Sequence, residues 1–170
     1  VLDSHLRGGV SGNAGAVGSM PLGLAHGDAS SRPAQLLSVA SLFNLESLYL
    51  AKGLDAAAAV DGRALQTPWL AQTETWLRDA APAIALTINS AACLLDLEGV
   101  IIDGSFDPTL RARLIASVEP ALDRHSWEGV ARPALLAGTI GSDARAIGGA
   151  LLPLYANFAP DRDLFLKVVG

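Results

Sequence analysis

The sequence predicts a mixed α/β chain built around a parallel βαβα unit with helices packed about it. Gly99-Val100-Ile101-Ile102 and Pro133-Ala134-Leu135-Leu136-Ala137 are short apolar runs that lead into Gly104 and Gly138, the pattern of strands buried on both faces of a parallel sheet. Each is followed by a segment of helical period, and strand, helix, strand, helix with short loops implies two parallel strands joined by a right-handed crossover. At the other end of the chain, six glycines fall between Arg7 and Gly23, too densely for a helix interior. The expected organisation is a single lobe: a strand and glycine-rich loop over 1–33, a helical part over 34–98 and the βαβα part over 99–170.

Taken in order, Val1 to Arg7 is expected to end a strand or hairpin that feeds the glycine stretch. Met20-Pro21-Leu22 reads as a brief extended piece before a polar loop over 27–32, closed by Pro33. From Pro33 to Lys52 the apolar residues Leu36, Leu37, Ala40, Phe43, Leu45, Leu48 and Leu50 come close to helical spacing, with Gly53 just past the end. One amphipathic helix is expected there. Asp55 to Ala64 reads as a short helical turn, and Thr67-Pro68 as the cap and first residue of the next helix. Trp69 and Trp76 lie seven apart and share a face, which is ordinary core packing.

Pro82 is expected to begin a separate helix running to about Leu97, apolar or small on every side and so central to the lobe. Within it, Cys93 reads as an inert buried thiol. Asp107-Pro108 supplies an N-cap and a first-turn proline for a helix over Thr109 to Arg124, with Leu110, Leu114, Val118 and Leu122 in one stripe. Pro120 should kink or divide it. Ser142 or Asp143 caps a last helix from Ala144 to about Asn157. The carboxyl ends of the two strands, at Gly104 and Gly138, then lie side by side on the edge where open α/β sheets bind ligands.

Composition narrows the partners. Of 170 residues, 51% are apolar and the mean hydropathy is +0.36, enough for a sizeable core with apolar surface left over. Such a surplus, with a chain that opens at Val1, fits a lobe excised from a larger protein. The net charge is −5, only two of the twelve basic residues are lysine, and the arginines are scattered, so direct contact with nucleic acid is not expected of this segment. The single cysteine excludes an internal disulfide and fits a reducing, cytoplasmic setting. The longest apolar run, Ala80 to Leu97, contains Pro82, Asn89 and Asp96 and reads as a core helix, with no membrane partner expected.

The glycine stretch, RGGVSGNAGAVGSMPLG from Arg7 to Gly23, has to be a shaped loop, either a tight surface turn or a loop wrapped on a ligand. Its segment Gly12-Asn13-Ala14-Gly15-Ala16-Val17-Gly18-Ser19-Met20 resembles the GNAGEIGHM segment of the ROK family, a group of sugar kinases and sugar-sensing transcriptional repressors. Two further segments are similar in the same order. LLDLEGVIIDG, from Leu94 to Gly104, matches the family's strand and double glycine before the nucleotide, with Asp103 replacing the first glycine. LAGTIGSDARAIGGA, from Leu136 to Ala150, matches its closing segment.

The resemblance implies an actin-like ATPase, ribonuclease H-like lobe, the carboxyl-terminal part of a longer protein. It implies ligand contacts at Gly12, Asn13 and Ser19, and a nucleotide side at Gly104 and Gly138. The family's sugar-holding glutamate and histidine are replaced here by Ala16 and Ser19, and its zinc cysteines are missing from the loop around His26, so neither a metal nor a cofactor is expected. A carboxylate at Asp103 should repel a nucleotide phosphate unless a metal or an arginine intervenes. The expected function is therefore the effector-sensing, homodimer-forming lobe of a ROK-like transcriptional regulator, not an enzyme. Its effector would be a sugar or sugar derivative, and it would meet DNA only through a domain outside this chain. The alternative is the carboxyl-terminal lobe of a ROK sugar kinase.

Overall fold

A computed structural model describes residues 9–24 and 32–158, with only the backbone at 155, 156 and 158. The expected strand over Val1 to Arg7, and most of the loop around His26, lie outside the described residues. The elements run α1 (Leu36–Ala40), α2 (Leu42–Leu50), α3 (Leu70–Leu95), β1 (Gly99–Ile102), α4 (Pro108–Leu122), β2 (Ala134–Ala137) and α5 (Ala144–Phe158), with 3-10 turns at Val17–Ser19, Ala56–Ala59, Arg63–Leu65 and Gly141–Asp143.

β1 and β2 pair in parallel, in the register Gly99 to Ala134 through Ile102 to Ala137. The β1–α4–β2–α5 order is the predicted βαβα unit. α4 forms because Asp107 accepts the Thr109 amide at 2.8 Å and Pro108 stands in the first turn, where its missing N–H is no loss. Its stripe of Leu110, Leu114, Val118 and Leu122 is buried and faces α3.

Two helix assignments need correction. The segment from Pro33 to Lys52 is two helices, because Ser41 is extended and its hydroxyl accepts the Asn44 amide at 3.2 Å, starting α2 afresh. The amide of Asn44's side chain donates to the Val39 carbonyl at 2.8 Å across the break. The boundary at Pro82 disappears: α3 runs unbroken from Leu70 to Leu95, its N-cap position is Trp69, and Thr67-Pro68 precede it. Pro82 and Arg78, four residues earlier, are both exposed, so the carbonyl deprived of a partner can turn to water. Pro120 likewise sits on the exposed side of α4, which continues through it to Leu122.

The core packs α2, α3 and α4 around Leu45, Tyr49, Trp76, Ile88 and the α4 stripe, with Val100, Ile102 and Leu135 of the sheet against it. Within it, the Thr73 hydroxyl donates to the Ala64 carbonyl at 2.6 Å, so the Tyr49 hydroxyl, 2.6 Å away, must donate to Thr73. That chain joins α2, the turn before α3, and α3 itself. Burial pushes the Tyr49 phenol above its ordinary range.

The strands are not buried on both faces. Ile101 is 66% exposed and Leu136 50% exposed, side by side on the face turned away from α3 and α4. The alternation follows from the pleat, which turns Val100, Ile102 and Leu135 inward. Cys93 is also exposed, near the end of α3 beside the exposed Leu94 and Leu95, and is not a buried thiol. No helix among the described residues is long and apolar enough to cross a membrane.

Candidate functional site

The two strands end side by side, the Gly138 amide donating to the Ile102 carbonyl at 2.8 Å. Asp103, the residue after β1, turns its carboxylate into the gap between the strand-end loops. It accepts the Gly104 amide at 2.9 Å, the Ile140 amide at 3.1 Å and the Gly141 amide at 3.1 and 3.2 Å to its two oxygens. The Arg111 guanidinium donates to it from the first turn of α4 at 2.9 Å. These bonds, led by those of the Gly141 and Gly104 amides, hold the carboxyl below its usual range. The ion pair is largely enclosed, its side chains 22% and 14% exposed.

Two glycines make this geometry possible. A Cβ on Gly138 would fall on the side chain of Asp103, so only the smallest residue leaves the carboxylate its place. Gly141 has a φ of +64°, which lets successive amides at 140 and 141 turn toward one point. Gly104 and Gly138, expected at the strand ends, are therefore brought together, and Asp103 fills the space between their loops.

Clefts surround the pair. One of about 520 Å³ has Asp103, Gly104, Phe106, Gly141 and Arg145 in its wall, and another of about 330 Å³ is bounded by Gly104, Arg111 and Ile140. A third, of about 270 Å³, is lined mainly by apolar side chains, among them Leu37, Trp76, Ile102 and Phe106, and reaches from Asp103 to Gly18 of the glycine loop. Gly18 is packed against Leu37, at 3.4 Å from where a Cβ would stand.

The glycine loop thus meets this cleft through Gly18, not through the residues expected to hold a ligand. Gly12, Asn13 and Ser19 are exposed on the loop, and the Asn13 side chain donates to the Ser11 hydroxyl at 3.3 Å. Gly9, Gly12 and Gly15 have φ between +72° and +80°, the left-handed conformation that a glycine loop was expected to use. Ala16, in the position of the family's glutamate, is exposed and apolar.

Arg111 is the residue that sequence reasoning missed, and it supplies the intervening arginine that the Asp103 carboxylate called for. A cation in the first turn of a helix opposes the helix dipole, so its presence there was a signal that an anion lay close by. Two other acids of this region stand at helix ends. Asp107 caps α4, and Asp96 ends α3 in a left-handed conformation at φ 48°.

Comparison with known proteins bears on the fold. No protein-family profile and no curated protein sequence matches the chain. Among solved structures, it is similar to a ROK family protein from Streptococcus pneumoniae TIGR4, determined in complex with sucrose, with a TM-score of 0.64 and 17% identity over 89% of this chain. The match covers 52% of that protein, so the chain spans about half of its length. At that identity the likeness speaks to architecture alone. The chain has the fold of one lobe of that ROK family protein, a mixed α/β lobe with a parallel strand pair and surrounding helices.

Proposed function

We propose that this lobe is the effector-sensing half of a ROK-like transcriptional regulator, binding a sugar or sugar derivative and taking part in a homodimer. Its DNA-binding domain would lie outside this chain. The observation that carries the proposal is the glycine loop: φ near +75° at three glycines gives it a backbone able to wrap a ligand, while by the resemblance Ala16 and Ser19 stand where the family's kinases carry a glutamate and a histidine. Asn13 and Ser19 do not line the apolar cleft that Gly18 borders, but are exposed on the same loop, and a ligand seated against that loop would take them as its polar contacts. A receptor needs only shape and hydrogen bonds at such a place, whereas phosphoryl transfer needs charges aimed at the reacting groups. The sucrose bound by the pneumococcal protein supports a sugar as the effector class.

A second reading, the carboxyl-terminal lobe of a sugar kinase, is favoured by the adjacent strand ends at Gly104 and Gly138, the usual ligand edge of an open α/β sheet. Calorimetry of the full-length protein against a panel of sugars and sugar phosphates separates the two. The regulator binds a sugar with no release of ADP when ATP is added. Sugar-dependent ADP release would overturn the regulator reading.

A further inference from the structure

The arrangement at the strand ends is that of an anion site already full. Convergent backbone amides backed by a guanidinium are what proteins use to hold phosphate and sulfate. Here amides from two separate loops, Gly104 after β1 and Ile140 with Gly141 after β2, meet with Arg111 from α4 on one point. The anion at that point belongs to the chain. We propose that Asp103 is an internal stand-in for an oxyanion: its carboxylate occupies the amide cluster, ties the two strand-end loops together, and bars external phosphate from the sheet edge.

The exclusion has two physical parts. The carboxylate uses the donors that a phosphate would need, and it neutralises Arg111, the near cation, so that a phosphate arriving through the clefts on either side finds neither free amides nor an unpaired guanidinium at that point. Gly138 completes the device, since the absence of a side chain there is what lets the carboxylate enter. The inference is independent of what the glycine loop binds, because it concerns the opposite end of the cleft and a different ligand chemistry.

Inorganic phosphate is the probe. In the full-length protein, titration followed by amide nuclear magnetic resonance should leave Gly104, Ile140 and Gly141 unmoved. Asp103→Gly empties the cluster, and the same amides should then shift saturably, with phosphate bound about tenfold tighter or better than by the parent. Adding Arg111→Gln to that variant should remove the gain. Asp103→Asn, which keeps a carbonyl oxygen in the cluster, should stay closed. Should Asp103→Gly and Asp103→Ala both fail to fold alone, phosphate should restore their folding, and failure of that rescue counts against the proposal. It is overturned if phosphate moves those amides in the parent, or if a folded Asp103→Gly protein gains nothing.

Discussion

The α3–α4 pair and the carboxyl-terminal face of the lobe are written in much the same alphabet, yet they end in opposite surroundings. Leu110, Leu114, Val118 and Leu122 on α4 vanish into the core, while Ile147, Leu151, Leu152 and Leu154 on α5 stand largely in the open, next in the chain to a sheet that exposes Ile101 and Leu136. Apolar period alone says that a face wants cover, not that the cover is present. What separates the two regions is the partner: α4 has α3 laid against it, and the outer face of the sheet has no such element among the described residues.

That contrast can be broken by substitution. The largest effect is expected at Trp76, 1% exposed in the middle of α3: Trp76→Ala should cost about 3–5 kcal/mol in urea unfolding, by lost contact and the cavity left behind. Thr73→Val comes next. It leaves both the Tyr49 hydroxyl and the Ala64 carbonyl without their buried partner and should cost about 1–3 kcal/mol. Removing the α4 cap by Asp107→Ala should cost about 1 kcal/mol, read from the same unfolding curves.

The strand ends add a dependence on pH. The Asp103 carboxyl is held below its unfolded value of about 3.9, so its contribution is complete above that value and is lost as pH falls through the lower folded one. Acid unfolding of Asp103→Asn should be correspondingly less steep in that window, and an unchanged acid profile would contradict the assigned contacts. The smallest effect is expected on the open face, where Leu151→Gln should change stability by less than about 0.5 kcal/mol. A loss as large as that of Thr73→Val would show the face to be covered in the intact protein.

Much of the fold was legible because its signals were local. Asp107-Pro108 announced α4, and the runs at 99–102 and 133–137 announced the two strands and their parallel pairing, the second beginning one residue later, at Ala134. The errors came where a local signal was overruled by position. Pro82 looks like a helix start in sequence, but on the exposed side of a well-packed helix it costs one bond that water can replace. The break at Ser41 was readable in hindsight as a hydroxyl three residues before Asn44, a cap hidden inside an apolar run. Exposure at Cys93, Ile101 and Leu136 had no sequence signal, since it depends on which neighbours are present. At the site, the glycines were visible and the role of Asp103 was half visible, as a charge in need of an answer. Arg111 supplies that answer eight residues away through the geometry of a turn and a helix start.

The missing side chain at Gly138 has a consequence for how this sequence can change over generations. Any larger residue there collides with Asp103, whose Cβ alone would already clash with the added carbon, so that only a glycine at 103 clears this contact. The two sites are thus bound to a fixed order of substitution: 103 must become glycine before 138 can grow, and a lineage that has enlarged 138 cannot return an aspartate to 103 without first undoing that step.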